Sequence, residues 1–171
     1  MLFKRELIEA VGVIAVVLSL IFVGFELRFS STVAQTETYG AGNEINANFH
    51  SVIVENADVW QRGCLGEQLT DEERSIFAHI FFMYQNKSFV FYARSQTGLL
   101  DRDSDGIAMD SAIQRYRYPG INEMWIQRVS ATSPNYEYRA TGGWWGAVES
   151  AYQQLLLSDY PKEADPALCG I

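Results

Sequence analysis

One uncharged stretch near the N-terminus constrains the fold more than any other feature of the chain. Residues 10–25 read AVGVIAVVLSLIFVGF and carry no charged side chain, and apolar residues continue on both sides. An α-helix needs about 20 such residues to cross the ~30 Å hydrocarbon layer of a bilayer. Glu9 and Glu26 bracket the stretch where a span would meet the lipid headgroups. The sequence therefore predicts a transmembrane anchor over residues 1–29.

Two other interpretations of this stretch are a cleaved secretory signal and a buried core helix. Lys4 and Arg5 would supply the basic region of a signal, with Thr32-Val33-Ala34 as an imperfect cleavage box. However, Glu26 and Arg28 fall where the cleavage region of a signal should be free of charged side chains. A buried helix without a polar face needs protein on every side, which a small domain can hardly supply. The membrane anchor is favoured over both.

The charges beside the span predict its orientation in the bilayer. Lys4 and Arg5 precede the span, whereas Arg28 is the basic residue that follows closely. Basic residues are enriched on the cytoplasmic side of membrane proteins. By a margin of one residue, the sequence predicts a cytoplasmic N-terminus and a domain on the opposite, periplasmic side.

A row of small side chains lies on one face of the predicted span. Gly12, Ala15 and Ser19 share this face, and Ala15 and Ser19 form a small-xxx-small pair. Such pairs let a second membrane helix approach closely. Small residues also occur in membrane helices that pack against nothing. The face predicts lateral packing against another helix, with a role in lipid contact alone as the alternative.

The rest of the chain is acidic and has enough apolar residues for a core. Residues 29–171 carry 10 basic and 18 acidic side chains, a net charge of −8, and 48% of the whole chain is hydrophobic. The basic residues are scattered singly, so they form no patch that would attract a phosphate backbone. The sequence predicts a folded domain that does not bind nucleic acid.

Helical periodicity dominates the region after the anchor. Residues 30–44 are polar and include Gly40 and Gly42, which predicts a linker or a weakened helix. Apolar residues then recur at helical spacing through a domain over residues 45–160, and a loose tail over residues 161–171 is expected to follow. Strand-like alternation is confined to the short segment 136–138. The predicted fold is all-α: one N-terminal transmembrane helix followed by a small helical-bundle domain.

The clearest local signal is the start of a central helix at Thr70. Glu73 stands three residues later, which is the spacing of a capping box. A long apolar run follows to about Thr97, where Gly98 offers a left-handed stop.

Further helices are expected after this central one. Pro119-Gly120 should end a short helix, Ser133-Pro134 has the form of a helix start, and a last helix is predicted over residues 144–157.

Several short motifs, taken in their order and spacing, carry a resemblance. They are the span VGVIAVVLSLIFVGFELR, Val59-Trp60-Gln61-Arg62-Gly63, Leu69-Thr70-Asp71-Glu72-Glu73-Arg74, Gly98-Leu99-Leu100-Asp101, and Pro119-Gly120 followed by Trp125. With them the chain resembles a widespread group of bacterial single-span membrane proteins with a C-terminal helical domain. The resemblance implies this fold and the membrane anchor. The group has no assigned activity, so no catalytic residue is carried over. Gly40, Gly42 and the aspartates after Asp101 depart from its pattern.

One aspartate-rich turn predicts a candidate calcium site. Asp101, Asp103 and Asp105, followed by Gly106, reproduce the first half of a calcium-binding loop. The position that should close the coordination shell with a glutamate holds Ala112 instead. Aspartates are also common at helix starts, where they cap free N–H groups. No cofactor other than calcium at this turn is predicted.

The two cysteines leave two interpretations open. Cys64 and Cys169 either pair in an oxidising compartment or are unrelated buried thiols.

The histidines and aromatic residues are expected to have structural roles. His50 and His79 show no metal-ligand or catalytic spacing, and His79 is expected to be a hydrogen-bonded structural histidine. The aromatic run from Phe77 to Tyr92 is interpreted as core filling rather than as a pigment, quinone or lipid groove, and Trp144-Trp145 as core packing rather than a partner surface.

These features favour binding over chemistry. The sequence predicts a membrane-anchored interaction protein, either an accessory subunit of a larger inner-membrane assembly or a self-associating scaffold. Its expected partners are the lipid bilayer and other membrane-protein subunits or further copies of itself. The alternative is a calcium- or ligand-responsive sensor that uses the turn from Asp101 to Asp105. An enzyme ranks last, because no nucleophile stands in a recognisable spacing with a base.

Overall fold

The structure is a computed structural model that describes the backbone of residues 2–131 and 142–170 and the side chains of residues 11–128 and 142–170. Every regular element in this part of the chain is helical. The elements are α1 (Leu2–Glu55), α2 (Ala57–Leu65), α3 (Asp71–Gln96), α4 (Ser104–Arg117), α5 (Pro119–Ala131), α6 (Gly143–Leu156) and a short 3-10 helix (Pro166–Leu168). The predicted all-α fold, with one long apolar N-terminal helix followed by a small helical domain, is confirmed. The predicted helix start at Ser133-Pro134 and the segment 136–138 lie outside the described residues.

The chain divides into two compact units, residues 1–40 and residues 41–171, and α1 contributes to both. In the first unit, every residue from 11 to 30 is exposed, and the exposed surface is built from large apolar side chains such as Leu20 and Phe22. Within the described residues, α1 is the one helix that is long and apolar enough to cross a membrane.

Residues 30–44 lie inside α1, so the linker interpretation of this segment is wrong and the helical one holds. Two of its threonines are accommodated by bonds to the preceding turn, such as that from Thr32 Oγ1 to the Arg28 carbonyl at 3.0 Å. Gly42 has a packing role, because a Cβ there would lie 2.9 Å from Cε1 of Phe91. A residue that looked like a weakness of the helix is thus a point of close approach to α3.

The predicted boundaries of the central helix are confirmed. The Glu73 backbone N–H donates to Thr70 Oγ1 at 3.2 Å, and the Thr70 N–H donates to Glu73 Oε2 at 2.8 Å, which completes the capping box. Hydrogen bonds from Arg62 lower the pKa of Glu73 to about 2. The helix ends at Gln96, and Gly98 adopts a left-handed φ of 71°.

The core of the helical domain forms around α3. Its largest fully buried side chains come from several helices: Trp60, Tyr118, Phe49, Phe81, Ile80, Ile121 and Val148. The chain turns at Tyr118, whose backbone is extended (φ −110°, ψ 108°) between the end of α4 at Arg117 and the start of α5 at Pro119. At this turn Gly120 lies against the backbone of α2, where a Cβ would be 1.8 Å from the carbonyl oxygen of Gly63.

A buried arginine joins α4, α5 and α6. Arg115 is 7% exposed, and its Nη1 bonds Glu149 Oε2 at 2.5 Å while its Nε donates to Asn122 Oδ1 at 2.8 Å. The guanidinium carbon also lies 3.8 Å from the ring centroid of Tyr152. Burial opposes ionisation of Glu149, but hydrogen bonds from Gln153 and Arg115 hold its pKa below the ordinary value.

Replacing Glu149 with glutamine should destabilise the domain by about 2 kcal/mol, because the mostly buried Arg115 loses its counter-charge. Glu149 is partly exposed, so the loss of stability should be smaller than for a fully buried ion pair. Chemical unfolding of both proteins measures the difference. Since the folded pKa is lowered, the difference should persist above pH 4.5 and shrink as the pH falls further. Glu123→Gln, on the exposed face of α5, is the matched control; an equal loss in both variants would contradict the prediction.

The prediction of a loose tail is wrong at the end of the tail. Most of residues 161–168 are exposed, but Cys169 and Gly170 are buried, and Cys169 is only 2% exposed. Trp60 Nε1 donates to the Cys169 carbonyl at 2.9 Å, and the Tyr118 hydroxyl donates to the Asp165 carbonyl at 2.6 Å. Buried aromatic donors need such acceptors, and the tail supplies them. Backbone acceptors leave no trace in side-chain composition, which is why this segment read as loose.

Candidate functional site

The predicted calcium turn is engaged in helix capping. Asp103 is the N-cap of α4, and its carboxylate accepts from the backbone N–H groups of Asp105 and Gly106. Asp101 and Asp105 are exposed, and no group of three metal-binding side chains forms anywhere in the described part of the chain. The calcium site stays a prediction, and the geometry here supports the capping alternative.

The predicted lateral face on α1 is accessible. Gly12, Ala15 and Ser19 are all exposed, and nothing lies within 4 Å of where a Cβ on Gly12 would be. A shallow apolar depression beside Gly12 is lined by Val13 and Val16. What packs against this face stays a prediction.

The two cysteines form a disulfide. Cys64 on α2 and Cys169 in the C-terminal segment are bonded across a Cα–Cα distance of 6.4 Å, and neither is more than 2% exposed. Of the two interpretations left open by the sequence, the paired one is correct.

His50 and His79 are both exposed. The position of His79 falls on the solvent face of α3, and its expected role as a hydrogen-bonded structural histidine stays a prediction.

A pocket of about 390 Å³ opens between α3, α5 and α6. We call it the aromatic pocket, and its described lining is Phe82, Gln85, Asn86, Phe89, Arg128, Trp144 and Trp145. Ligand sites in proteins are typically concave, mostly apolar and supplied with a few placed polar groups. The aromatic pocket has this composition.

Two buried residues that line the aromatic pocket carry polar atoms without a hydrogen-bond partner. Gln85 is 6% exposed, and neither its amide nitrogen nor its amide oxygen forms a hydrogen bond. Trp144 is 3% exposed, and its indole Nε1 is likewise unbonded. Buried polar groups are nearly always paired, so each exception asks for an explanation. Here the three unpaired atoms belong to two residues that line one pocket, and each of these atoms is itself buried.

Aromatic side chains form the walls of the aromatic pocket. Phe82 and Phe89 are 39% and 48% exposed, which is unusual for rings on a central helix. The Arg128 guanidinium carbon lies 4.8 Å from the Phe82 centroid, within cation–π range. Trp145 is held by Trp125, with ring centroids 4.7 Å apart. The pocket thus combines flat apolar walls with a cation.

The core interpretation of the aromatic run is right for some of its rings and wrong for others. Phe77, Phe81 and Tyr84 are buried, whereas Phe82 and Phe89 face outward. One sequence signal was available: Gln85 follows the buried positions of α3 at helical spacing, where an apolar residue is expected. A polar residue on a core face marks a group that needs a partner.

Gln85→Met should stabilise the unliganded protein by about 1–2 kcal/mol, because it removes two unpaired buried polar atoms at nearly constant volume. Thermal or urea unfolding of the purified protein measures this. Gln96→Met, at the exposed end of α3, should change stability by less than about 0.5 kcal/mol. A destabilised Gln85→Met variant would show that the amide is paired after all.

A second cleft, of about 320 Å³, lies where the end of α2 meets α3 and α5. Its charged lining residues, Glu67, Arg74 and Glu123, are all exposed. Water satisfies such groups, so this cleft makes no demand for a ligand.

Comparisons with known proteins do not assign a function to this chain. No family model, curated protein or solved structure matches the chain. The resemblance to bacterial single-span membrane proteins stays a prediction.

Proposed function

We propose that this protein is a membrane-anchored interaction protein whose helical domain lies on the periplasmic face of a bacterial inner membrane. It acts there as an accessory subunit of a larger membrane assembly or as a self-associating scaffold. The observation that carries the proposal is a disulfide-closed domain that follows a fully exposed apolar helix.

The exposed apolar helix supports the membrane anchor. Side chains such as Leu20, Phe22 and Phe25 are each at least 67% exposed. An apolar surface of this extent is costly in water and marks contact with a membrane or a partner. A span of uncharged residues with glutamates only at its borders suits hydrocarbon.

The disulfide supports the periplasmic side. Disulfides persist in oxidising compartments such as the periplasm and are rare in the cytosol. The pair of basic residues before the span, Lys4 and Arg5, favours the same orientation. Two independent properties of the chain thus favour one topology.

Binding is favoured over chemistry by what the described residues offer. The exposed aromatic rings Phe82 and Phe89 and the accessible small-residue face of α1 are surfaces suited to contact.

Thiol trapping tests the topology. The chain has two cysteines, so its oxidation state is read without ambiguity. Cells are quenched in acid, and the denatured protein is treated with a polyethylene glycol maleimide before or after reduction. We expect no labelling before reduction and double labelling after it. Labelling of both thiols without reduction would place the domain in the cytosol and overturn the proposal.

Native extraction tests the interaction role. The particle is released in mild detergent, its mass is measured and its components are identified. Defined companion subunits or a homo-oligomer would support the proposal, and a lone monomer would overturn it.

Ala15→Leu combined with Ser19→Leu should weaken lateral association about tenfold, because the larger side chains keep a second helix from close approach. The measurement is the apparent dissociation constant in lipid bilayers. Ile14→Leu combined with Ile21→Leu, on the opposite face of α1, is the control and should leave association unchanged. Equal association of both double variants would show that the small face is unused.

A further inference from the structure

We infer that the groove which holds the C-terminal segment, residues 160–170, also binds the same segment of a second copy of this chain. Side chains of α2, α3, α4 and the turn after α4 form this groove, which we call the C-terminal groove. In the exchanged state, Cys64 of one copy is bonded to Cys169 of the other. The inference gives the self-associating form of the proposed function a specific contact, and it rests on that function.

The C-terminal groove holds its segment mainly through backbone carbonyl groups. Side chains donate hydrogen bonds to the carbonyl oxygens of Tyr160, Asp165, Leu168, Cys169 and Gly170. The donors, in the same order, are Tyr116, Tyr118, Gln114, Trp60 and Lys87. Proteins hold bound peptides through main-chain hydrogen bonds of this kind. A backbone carbonyl is the same group in every copy, so the groove can form these bonds with the segment of another copy.

Two positions of the segment make the C-terminal groove selective. Cys169 supplies the sulfur that bonds Cys64. Gly170 has a left-handed φ of 80°, and a Cβ there would lie 2.9 Å from Cζ2 of Trp60 and 3.3 Å from Cζ of Phe49. Cys169-Gly170 is the one Cys-Gly pair in the chain. Among segments of this protein, the C-terminal segment of a second copy is therefore the one that meets both requirements.

The segment has little apolar attachment to the domain. Leu168 is 48% exposed, and most of residues 161–168 are exposed. Apolar burial is the dominant favourable contribution to tight packing, whereas a hydrogen bond contributes a net of only about 1 kcal/mol. Before the disulfide forms, the segment is thus held mostly by hydrogen bonds, and it can leave the groove and bind again.

The connection between α6 and the segment is short and exposed. The helix ends at Leu156, and Leu157, Ser158 and Asp159 are all exposed, Leu157 at 91%. Opening an exposed connection uncovers no core, so its free-energy cost is small. Short connections of this kind are where identical elements are exchanged between copies.

Self-association decides whether the exchange competes with folding back onto the same chain. The short connection gives the segment an effective concentration at its own groove that is of the order of millimolar. Copies held side by side through the small-residue face of α1 bring a second groove to a comparable concentration. The contacts within the groove are the same in both arrangements, so proximity sets the balance between them.

Oxidation fixes whichever segment occupies the groove. The sulfur–sulfur bond between Cys64 of one copy and Cys169 of the other forms with the loss of two protons and two electrons from the thiols. A disulfide-bearing oxidant, such as oxidised glutathione, takes these up and becomes two thiols. Because each copy has one groove and one segment, the exchange closes as a symmetric dimer.

The experiment mixes isotope-labelled and unlabelled full-length protein in lipid bicelles. The mixture is reduced, reoxidised with oxidised glutathione, and digested without reduction, and mass spectrometry identifies the linked peptides. Bonds within one chain join peptides of one isotope, whereas exchange produces mixed-isotope pairs. We expect mixed-isotope Cys64–Cys169 pairs to outnumber mixed-isotope Cys64–Cys64 pairs by about tenfold or more, because docking raises the effective concentration of one thiol at the other.

A variant of one copy gives the experiment a direction. With Gly170→Ala in the labelled copy alone, its segment should no longer dock. Pairs of labelled Cys169 with unlabelled Cys64 should then fall about tenfold, since the added methyl group meets Trp60. Pairs of unlabelled Cys169 with labelled Cys64 should persist, which shows that the variant still folds its groove. Ala167→Ser, at an exposed position of the segment, is the matched control and should leave both kinds of pair equal.

Three results would overturn the inference. One is the absence of mixed-isotope pairs while bonds within one chain form fully. Another is an equal yield of Cys64–Cys64 pairs, which would indicate random thiol oxidation. The third is a Gly170→Ala copy whose two kinds of mixed pair stay equal, because the segment would then not enter through the groove.

The native particle separates this inference from the proposed function. If it contains companion subunits or a homo-oligomer but mixed-isotope pairs are absent, the exchange is wrong and the interaction role stands. If mixed-isotope pairs form in bicelles but the native particle is a lone monomer, the groove binds a second copy and the interaction role is wrong.

Discussion

Gly120→Ala should destabilise the helical domain by about 3 kcal/mol or more, the largest effect we expect from adding one methyl group. The added Cβ would lie 1.8 Å from the Gly63 carbonyl oxygen and 3.2 Å from that of Cys64. Both neighbours are backbone atoms in α2, so no side-chain rotation relieves the overlap and the two helices must separate. Urea unfolding of the purified variant measures the loss.

Gly106→Ala is the matched control for this substitution. Gly106 also lies near the start of a helix, but a Cβ there would meet only the Asp103 side chain at 3.9 Å. Alanine in a helix is favoured over glycine, so this variant should gain about 0.5–1 kcal/mol. If the two variants are equally stable, α2 and α5 do not cross at Gly120.

Cys64→Ala combined with Cys169→Ala should lower the stability of the domain by about 4–5 kcal/mol, because the disulfide closes a loop with a sequence separation of 105. The melting temperature should fall by roughly 15 °C. Loss of the bond also frees the C-terminal segment, whose Cys169 carbonyl accepts the Trp60 indole hydrogen bond. Near-ultraviolet circular dichroism should therefore report a change around Trp60.

Reduction of the wild-type protein is the control for cavity effects in the alanine variant. The reduced wild-type protein keeps both cysteine side chains and loses only the covalent bond. It should therefore lose most of the stability that the alanine variant loses. Alkylation of the two thiols after reduction confirms that the bond was present. If the reduced and oxidised proteins melt together, the C-terminal segment is held by its noncovalent contacts alone.

The aromatic pocket and the disulfide concern different parts of one domain. The disulfide and the Trp60 hydrogen bond fasten the C-terminal segment to α2. The aromatic pocket lies between α3, α5 and α6 and is lined by the rings of Phe82, Phe89, Trp144 and Trp145.

Local signals in the sequence predicted much of the fold. The capping box at Thr70 and the stop at Gly98 set the limits of α3, because capping depends on residues only three or four positions apart. The uncharged stretch 10–25 predicted the exposed apolar helix for a similar reason. These features arise within one helix and require no knowledge of its neighbours.

Contacts between distant residues escaped the sequence. Gly42 looked like a helix breaker until the Phe91 ring was placed against it, and Gly63 lies inside α2 with Phe77 across from it. Composition and periodicity indicate which environment a residue prefers. They do not show which distant residue it will contact.

By itself, the sequence determined the helical class, the apolar N-terminal helix, the acidity of the domain and the limits of its central helix, because each follows from periodicity, charge or short-range hydrogen bonding. Only the tertiary structure decided that Cys64 pairs with Cys169, that the C-terminal segment packs, and that Gln85 and Trp144 border one pocket. These features depend on contacts between residues that lie tens of positions apart in the sequence. Such contacts are determined by how the helices pack against one another, and the residue pattern of a single helix carries no information about that packing.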